Sequence, residues 1–127
     1  MPHSPQPIET PQVPPNNDTY SQAARLGELI FLSGQLGLDP VTRQLAAGIQ
    51  AQTRQALDNV ATVLRASGSS LDRVAKVNIF ITDFSSLGAM NEVYRTFFPH
   101  RPAKTTVEIS CLDGGALIEI EVVAAAG

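Results

Sequence analysis

Five side chains near the end of the chain, Lys104, Thr106, Glu108, Glu119 and Glu121, are the ones best suited to chemistry. An ammonium, a hydroxyl and carboxylates can together hold an anion, place a water and move a proton. They sit in two alternating runs. In the first, Lys104, Thr106 and Glu108 alternate with Thr105, Val107 and Ile109; in the second, Glu119 and Glu121, with Leu117 and Val123, alternate with Ile118, Ile120, Val122 and Ala124. Successive strand side chains lie on opposite faces, so both runs read as strands, and Asp113-Gly114-Gly115 between them predicts a hairpin turn. If helices pack on the apolar faces, the second face gathers Lys104 and the acids within cross-strand reach. Such charges flanked by Thr, Val and Ile mark a face that meets another subunit. The expectation is a charged pocket at a subunit boundary.

Other reactive side chains carry less. His3 lies among prolines and His100 beside Arg101, and each reads as a solvated histidine before it reads as a ligand or a proton carrier. Cys111 is the single cysteine and has no paired base nearby, so it reads as a plain thiol, and no metal-ligand spacing surrounds it. Glu108 reads as a solvated or interface acid.

Composition narrows the classes. The 127 residues fit one domain with its own core, and a net charge of −3 without any basic run argues against nucleic-acid binding, which needs clustered Lys and Arg. Absence of Trp and a Tyr count of 2 also disfavour an aromatic stacking platform. No apolar stretch approaches a membrane span, and the start lacks a basic region followed by an apolar one. A cytoplasmic protein with no membrane partner is the expectation.

The elements that would position these residues follow in order. Residues 1–17 hold six prolines and predict an extended or flexible tail, leaving 18–127 as the folded domain. Tyr20 to Leu26 and Leu29 to Ser33, around Gly27-Glu28, predict a hairpin. Gly34 and Gly37 follow, where a bend or a close approach to the backbone is expected. Ile49, Thr53, Ala56, Leu57, Val60, Val63 and Leu64 recur at helical spacing, opposite a polar face that includes Gln52 and Asn59. Val74 to Ile81 reads as a β-branched strand. A second helix, capped by Asp83 or Ser85 and stopped by Pro99, turns Leu87, Met90, Val93, Tyr94 and Phe97 to the core. The order ββαβαββ predicts an α+β sandwich, two helices on one face of a largely antiparallel sheet.

Several pieces of this order carry a family resemblance. Ser33-Gly34-Gln35, Ala56-Leu57-Asp58-Asn59-Val60, Asn91 to Phe98, Pro102-Ala103-Lys104-Thr105-Thr106-Val107-Glu108 and Ile118-Glu119-Ile120-Glu121 together resemble the RidA (YjgF-like) family, over about Tyr20 to Ala124. The resemblance implies a homotrimer of chorismate-mutase-like fold with ligand sites in the clefts between subunits. It implies hydrolysis of reactive 2-imino or enamine acids to 2-keto acids and ammonia, with no cofactor and no metal. Carried over by position, it implies Tyr20 at the cleft mouth, the Gly34 backbone lining it, Asn91 as a pocket residue and Glu119 orienting the attacking water. Lys104 stands where deaminating members have an arginine that grips the substrate carboxylate, Thr106 where many have cysteine, and the loop from Phe98 to Lys104 is shorter than usual.

Lysine offers charge without the planar fork, and three readings of Lys104 follow. It holds a small carboxylate ligand by a charge-assisted bond. It acts, when neutral, as a base or Schiff-base amine. Or it forms a structural ion pair with Glu119 or Glu121 across the hairpin, in a non-deaminating trimer that binds a carboxylate metabolite or a partner protein as a sensor.

Overall fold

In the computed structural model, which describes residues 4–127, a seven-stranded sheet is laid down in the order β1-β2-β3-β7-β5-β6, with β4 also paired to β7. The strands are β1 (Gln6–Ile8), β2 (Ala23–Leu26), β3 (Leu29–Leu32), β4 (Gln35–Leu36), β5 (Val74–Ile81), β6 (Ala103–Glu108) and β7 (Ile118–Ala125). The helices are α1 (Ile49–Ala66) and α2 (Leu87–Phe97). The α+β expectation holds. The hairpin β2–β3 pairs Leu26 with Leu29 across Gly27-Glu28, and Gly27 takes φ 58°, a left-handed conformation that suits glycine.

The second expected hairpin does not form. β6 pairs with β5, in parallel, and β7 lies on the other side of β5. The reason is the connection that precedes β6: a strand, a helix and a strand make a crossover unit, which sets the two strands side by side and parallel. Asp113–Gly115 is a 3-10 turn within the segment that carries the chain past β5 to the middle of the sheet. β7 there pairs with β3, β4 and β5 at once, so its alternation governs both faces.

Ile118, Ile120, Val122 and Ala124 of β7 join Val77, Ile79 and Ile81 of β5 and Ile30 and Leu32 of β3 in the core beneath the helices. α1 contributes Ala56, Leu57, Val60, Val63 and Leu64, and α2 contributes Met90 and Tyr94. Two α1 side chains expected on its polar face are buried instead. Gln52 donates to Ala46 O (3.0 Å) and accepts from Leu117 N (2.8 Å), while Asn59 donates to Leu36 O (3.2 Å) and Leu38 O (2.9 Å). Their amides satisfy main-chain groups that the short strand β4 and the start of β7 leave unpaired. They thereby pin those segments to the helix.

The proline-rich stretch also departs from expectation. Gln6–Ile8 pairs with Ala23–Arg25, and Val13 is buried in the core. Proline is tolerated on an outermost strand, and the buried Gln22 serves the rest of the stretch by accepting from Thr10 N (2.6 Å) and donating to Pro14 O (3.1 Å). His3 lies outside the described residues.

The expected cap of the second helix by Asp83 or Ser85 falls one turn earlier: α2 itself has Ser86 at its start with no side-chain cap, and two carboxylates hold the 3-10 turn Phe84–Ser86 that precedes it. Asp83 accepts from Ser85 N (2.9 Å), and Glu108, expected to be solvated or at an interface, accepts from Phe84 N (2.8 Å). His100 is likewise engaged, with Nε2 at 2.9 Å from Val74 O and its ring edge-on to Phe98. Neither helix is long and apolar enough to cross a membrane. On the sheet face away from the core, Leu26, Leu29, Phe31 and Val107 are each at least 40% exposed.

Because Ile120 is fully buried and faces Ile79 across the central strand pair, Ile120→Ala is expected to cost about 2–5 kcal/mol. A lowered urea midpoint with an unchanged slope is the measurement that checks it.

Candidate functional site

The six residues singled out in the sequence fall into two groups. Tyr20, Gly34 and Glu119 line one cavity of about 450 Å³, with Ser33, Gln35, Leu36 and Asp113. Asn91, Lys104 and Thr106 lie apart from it, on α2 and β6. Register separates them. Lys104 pairs with Val77 and Thr106 with Ile79, both core-facing, whereas Glu119 pairs with Phe80 and Glu121 with Asn78. Partnered residues share a face and alternate residues do not, so Lys104 and Glu119 of one chain point to opposite sides of the sheet. The anticipated ion pair across the hairpin is therefore replaced by other contacts. Lys104 Nζ donates to Asn91 Oδ1 and lies 4.3 Å from the centroid of the Tyr94 ring, a cation–π geometry.

In the cavity, Glu119 is shaped by its neighbours. A Cβ on Gly34 would fall 2.5 Å from Glu119 Cδ and 2.7 Å from Cγ, so only glycine leaves the carboxylate where it is. Burial pushes the Glu119 carboxyl up from its ordinary value, and the nearby Glu121 and Asp113 add to the rise. Glu121 itself accepts from Asn78 Nδ2 (3.1 Å). Tyr20 is exposed at the mouth, its main-chain oxygen held by Asn16 Nδ2 (2.5 Å). Ser33 fastens the strand end above the cavity, donating through Oγ to Ser21 O (2.6 Å). A carboxylate held partly dry beside a glycine backbone can accept a proton from water.

On α2, Asn91 and Tyr94 face the same side because they are three apart. Tyr94, read from sequence as core, is buried and also offers its ring to Lys104; its hydroxyl has no partner among the described residues, and burial pushes it up to about 12. Burial lowers the Lys104 ammonium, and the charge of Arg95 lowers it further. Asp113 and Arg95 are residues that sequence reading missed: Asp113 reads only as part of a turn, and Arg95 is not singled out. No group of three or more His, Cys, Asp or Glu among the described residues is placed to hold a metal, and Cys111 is an exposed free thiol.

Comparison with known proteins adds the following. The model of a family described as Endoribonuclease L-PSP matches residues 10–126. The chain is 41% identical over 119 residues to a RutC family protein of Pyrococcus horikoshii, spanning 92% of this chain and 94% of that one. It is 35% identical over 122 residues to the 2-iminobutanoate/2-iminopropanoate deaminase of Mus musculus, spanning 94% and 90%. Among solved structures, E. coli TdcF with bound serine shares 33% identity and a TM-score of 0.91, covering 96% of this chain and 99% of that one.

Gly34→Ala is expected to leave the fold intact and displace the Glu119 carboxylate, since the atoms it would strike belong to a flexible side chain. A structure of the variant, or a changed Glu119 titration with a melting temperature close to that of the parent, checks this.

Proposed function

This chain belongs to the RidA (YjgF-like) family, whose model bears the description Endoribonuclease L-PSP, and on that premise we propose that it hydrolyses small reactive 2-imino or enamine acids to 2-keto acids and ammonia. The site we propose is a cleft between copies of the chain in a cytoplasmic homotrimer. The observation that carries this reading is the split of the site residues: Tyr20, Gly34 and Glu119 on one cavity, Asn91, Lys104 and Thr106 on the other side of the sheet. Neither half suffices alone, and copies meeting through the exposed apolar face of Leu29, Phe31 and Val107 would bring one half against the other.

The chemistry follows from the parts. The substrate carboxylate binds Lys104, and Glu119 takes a proton from a water whose oxygen attacks the imine carbon. Returning that proton to nitrogen gives the carbinolamine; Glu119 then takes the carbinolamine hydroxyl proton and passes it to the amino group, the C–N bond breaks, and ammonia leaves as the carbonyl forms. Water is added and ammonia lost with no change of oxidation state, so no redox cofactor is called for. The relatives support the substrate class: one is named for 2-iminobutanoate and 2-iminopropanoate, and another was solved with serine, a small amino acid.

A second reading rests on Lys104 itself. An ammonium lacks the bidentate grip of a guanidinium, which favours a non-deaminating trimer that binds a carboxylate as a sensor. For use of Lys104 as a Schiff-base amine the surroundings pull both ways: burial and the charge of Arg95 lower its ammonium, while Asn91 Oδ1 and the Tyr94 ring face stabilise the charged form.

Coupled generation of 2-iminobutanoate separates these readings. Decay faster than in buffer is expected with the native chain, about 10²-fold or more slower with Glu119→Gln, and faster with Lys104→Arg. Native decay at the buffer rate, from protein that is trimeric in solution, overturns the deaminase reading and leaves the sensor. The pH profile carries a sign: a base must be ionised, so kcat/KM falls as pH drops through the raised Glu119 value. Asp113→Asn removes one of the charges that raise it and is expected to move that limb to lower pH.

A further inference from the structure

The cationic side of the site holds two charges. Asn91 Oδ1 accepts from Lys104 Nζ, and the Asn91 main-chain oxygen accepts from Arg95 Nε (3.3 Å), one helical turn on. A lysine from β6 and an arginine from α2 thus meet at a single asparagine, and the lysine is further fixed over the Tyr94 ring, 4.3 Å from its centroid. We propose that Arg95 is a ligand-binding residue: with Lys104 it forms a two-cation seat for a small carboxylate and supplies the guanidinium that position 104 lacks. This rests on the reading above that Lys104 faces the ligand.

Helix electrostatics explain only part of the arrangement. A basic residue in the last turn of α2 is favoured by the helix dipole, but the dipole does not account for a second cation from another element brought against the same residue. Like charges repel, and Lys104 has also lost part of its water. Arg95, and no carboxylate, is the charged group that shifts it. An anion between the two relieves both costs, each cation donating to one or both of its oxygens. The Nε–H of Arg95 is spent on the helix backbone, and its terminal N–H groups have no hydrogen-bond partner among the described residues, so they remain to bind such a ligand. Arginine is suited to a carboxylate because its donors are planar and parallel, and lysine adds a point charge that tolerates varied approach.

The test uses the full chain and two probes that differ by one charge, 2-oxobutanoate and its neutral amide. Titration calorimetry is expected to show Arg95→Gln weakening the acid about tenfold or more, the equivalent of losing one charge-assisted bond, with the amide changed less than about twofold on the same scale. Arg95→Lys is expected to recover part of the loss. Equal weakening of acid and amide means that Arg95 only shapes the site, and overturns the proposal. So does acid affinity in Arg95→Gln equal to the native value, or no binding of the acid by the native chain. Imine hydrolysis is read separately: a native chain that does not hydrolyse the imine but loses acid affinity with Arg95→Gln retains the anion seat and forfeits the deaminase reading, whereas hydrolysis with unchanged affinity does the reverse.

Discussion

The period-two alternation of β7 is the constraint from which the rest descends. That strand sits between β5 on one side and β3 and β4 on the other, so every residue along it is committed to one of two faces with no freedom to slip. Ile118, Ile120, Val122 and Ala124 are committed to the core, and Glu119 and Glu121 are committed away from it. A slip of one residue would bury two carboxylates and expose the apolar set, a cost no local adjustment could offset.

The second commitment is topological. Because α2 makes a crossover between β5 and β6, β6 is parallel to β5 and lies at the far margin of the sheet. The register that follows turns Lys104 toward α2 and away from Glu119. Cation and acid in one chain are thereby held on different sides of a wall one strand thick. Gln52 and Asn59 act in support by tying the strand ends around the acid to α1, so that the cavity is built on anchored backbone.

Much of this is legible in the sequence, and the misreadings have specific physical causes. Both helices, the hairpin β2–β3 and the core-facing set of β7 follow from periodicity, because each element buries a face against something else. The true neighbours of β6 and β7 are not legible because alternation reports that a strand exists and says nothing of which strand lies beside it. A glycine-rich turn between two strands suggests adjacency, and here β5 occupies that place. The face of Lys104 is misread for a different reason: alternation assigns Val107 to the core side of its strand, whereas Val107 pairs with Phe80 on the face away from the core, which leaves Lys104 and Thr106 on the other. Gln52 and Asn59 looked solvated because a polar side chain on a helix is read as outward unless its partner, here a distant main-chain group, is known. The prolines near the start mislead in another way: they argue against a ladder, but Pro7 is tolerated on the outermost strand β1, and the buried Gln22 fastens Thr10 and Pro14.

Pro7 lies on β1, the outermost strand at one end of the sheet, opposite Ala24. An open sheet margin is ordinarily an invitation to further strands, which is how fibrils recruit material. A residue with no amide hydrogen withdraws that invitation. Growth of this protein by edge-to-edge strand addition is therefore discouraged at β1.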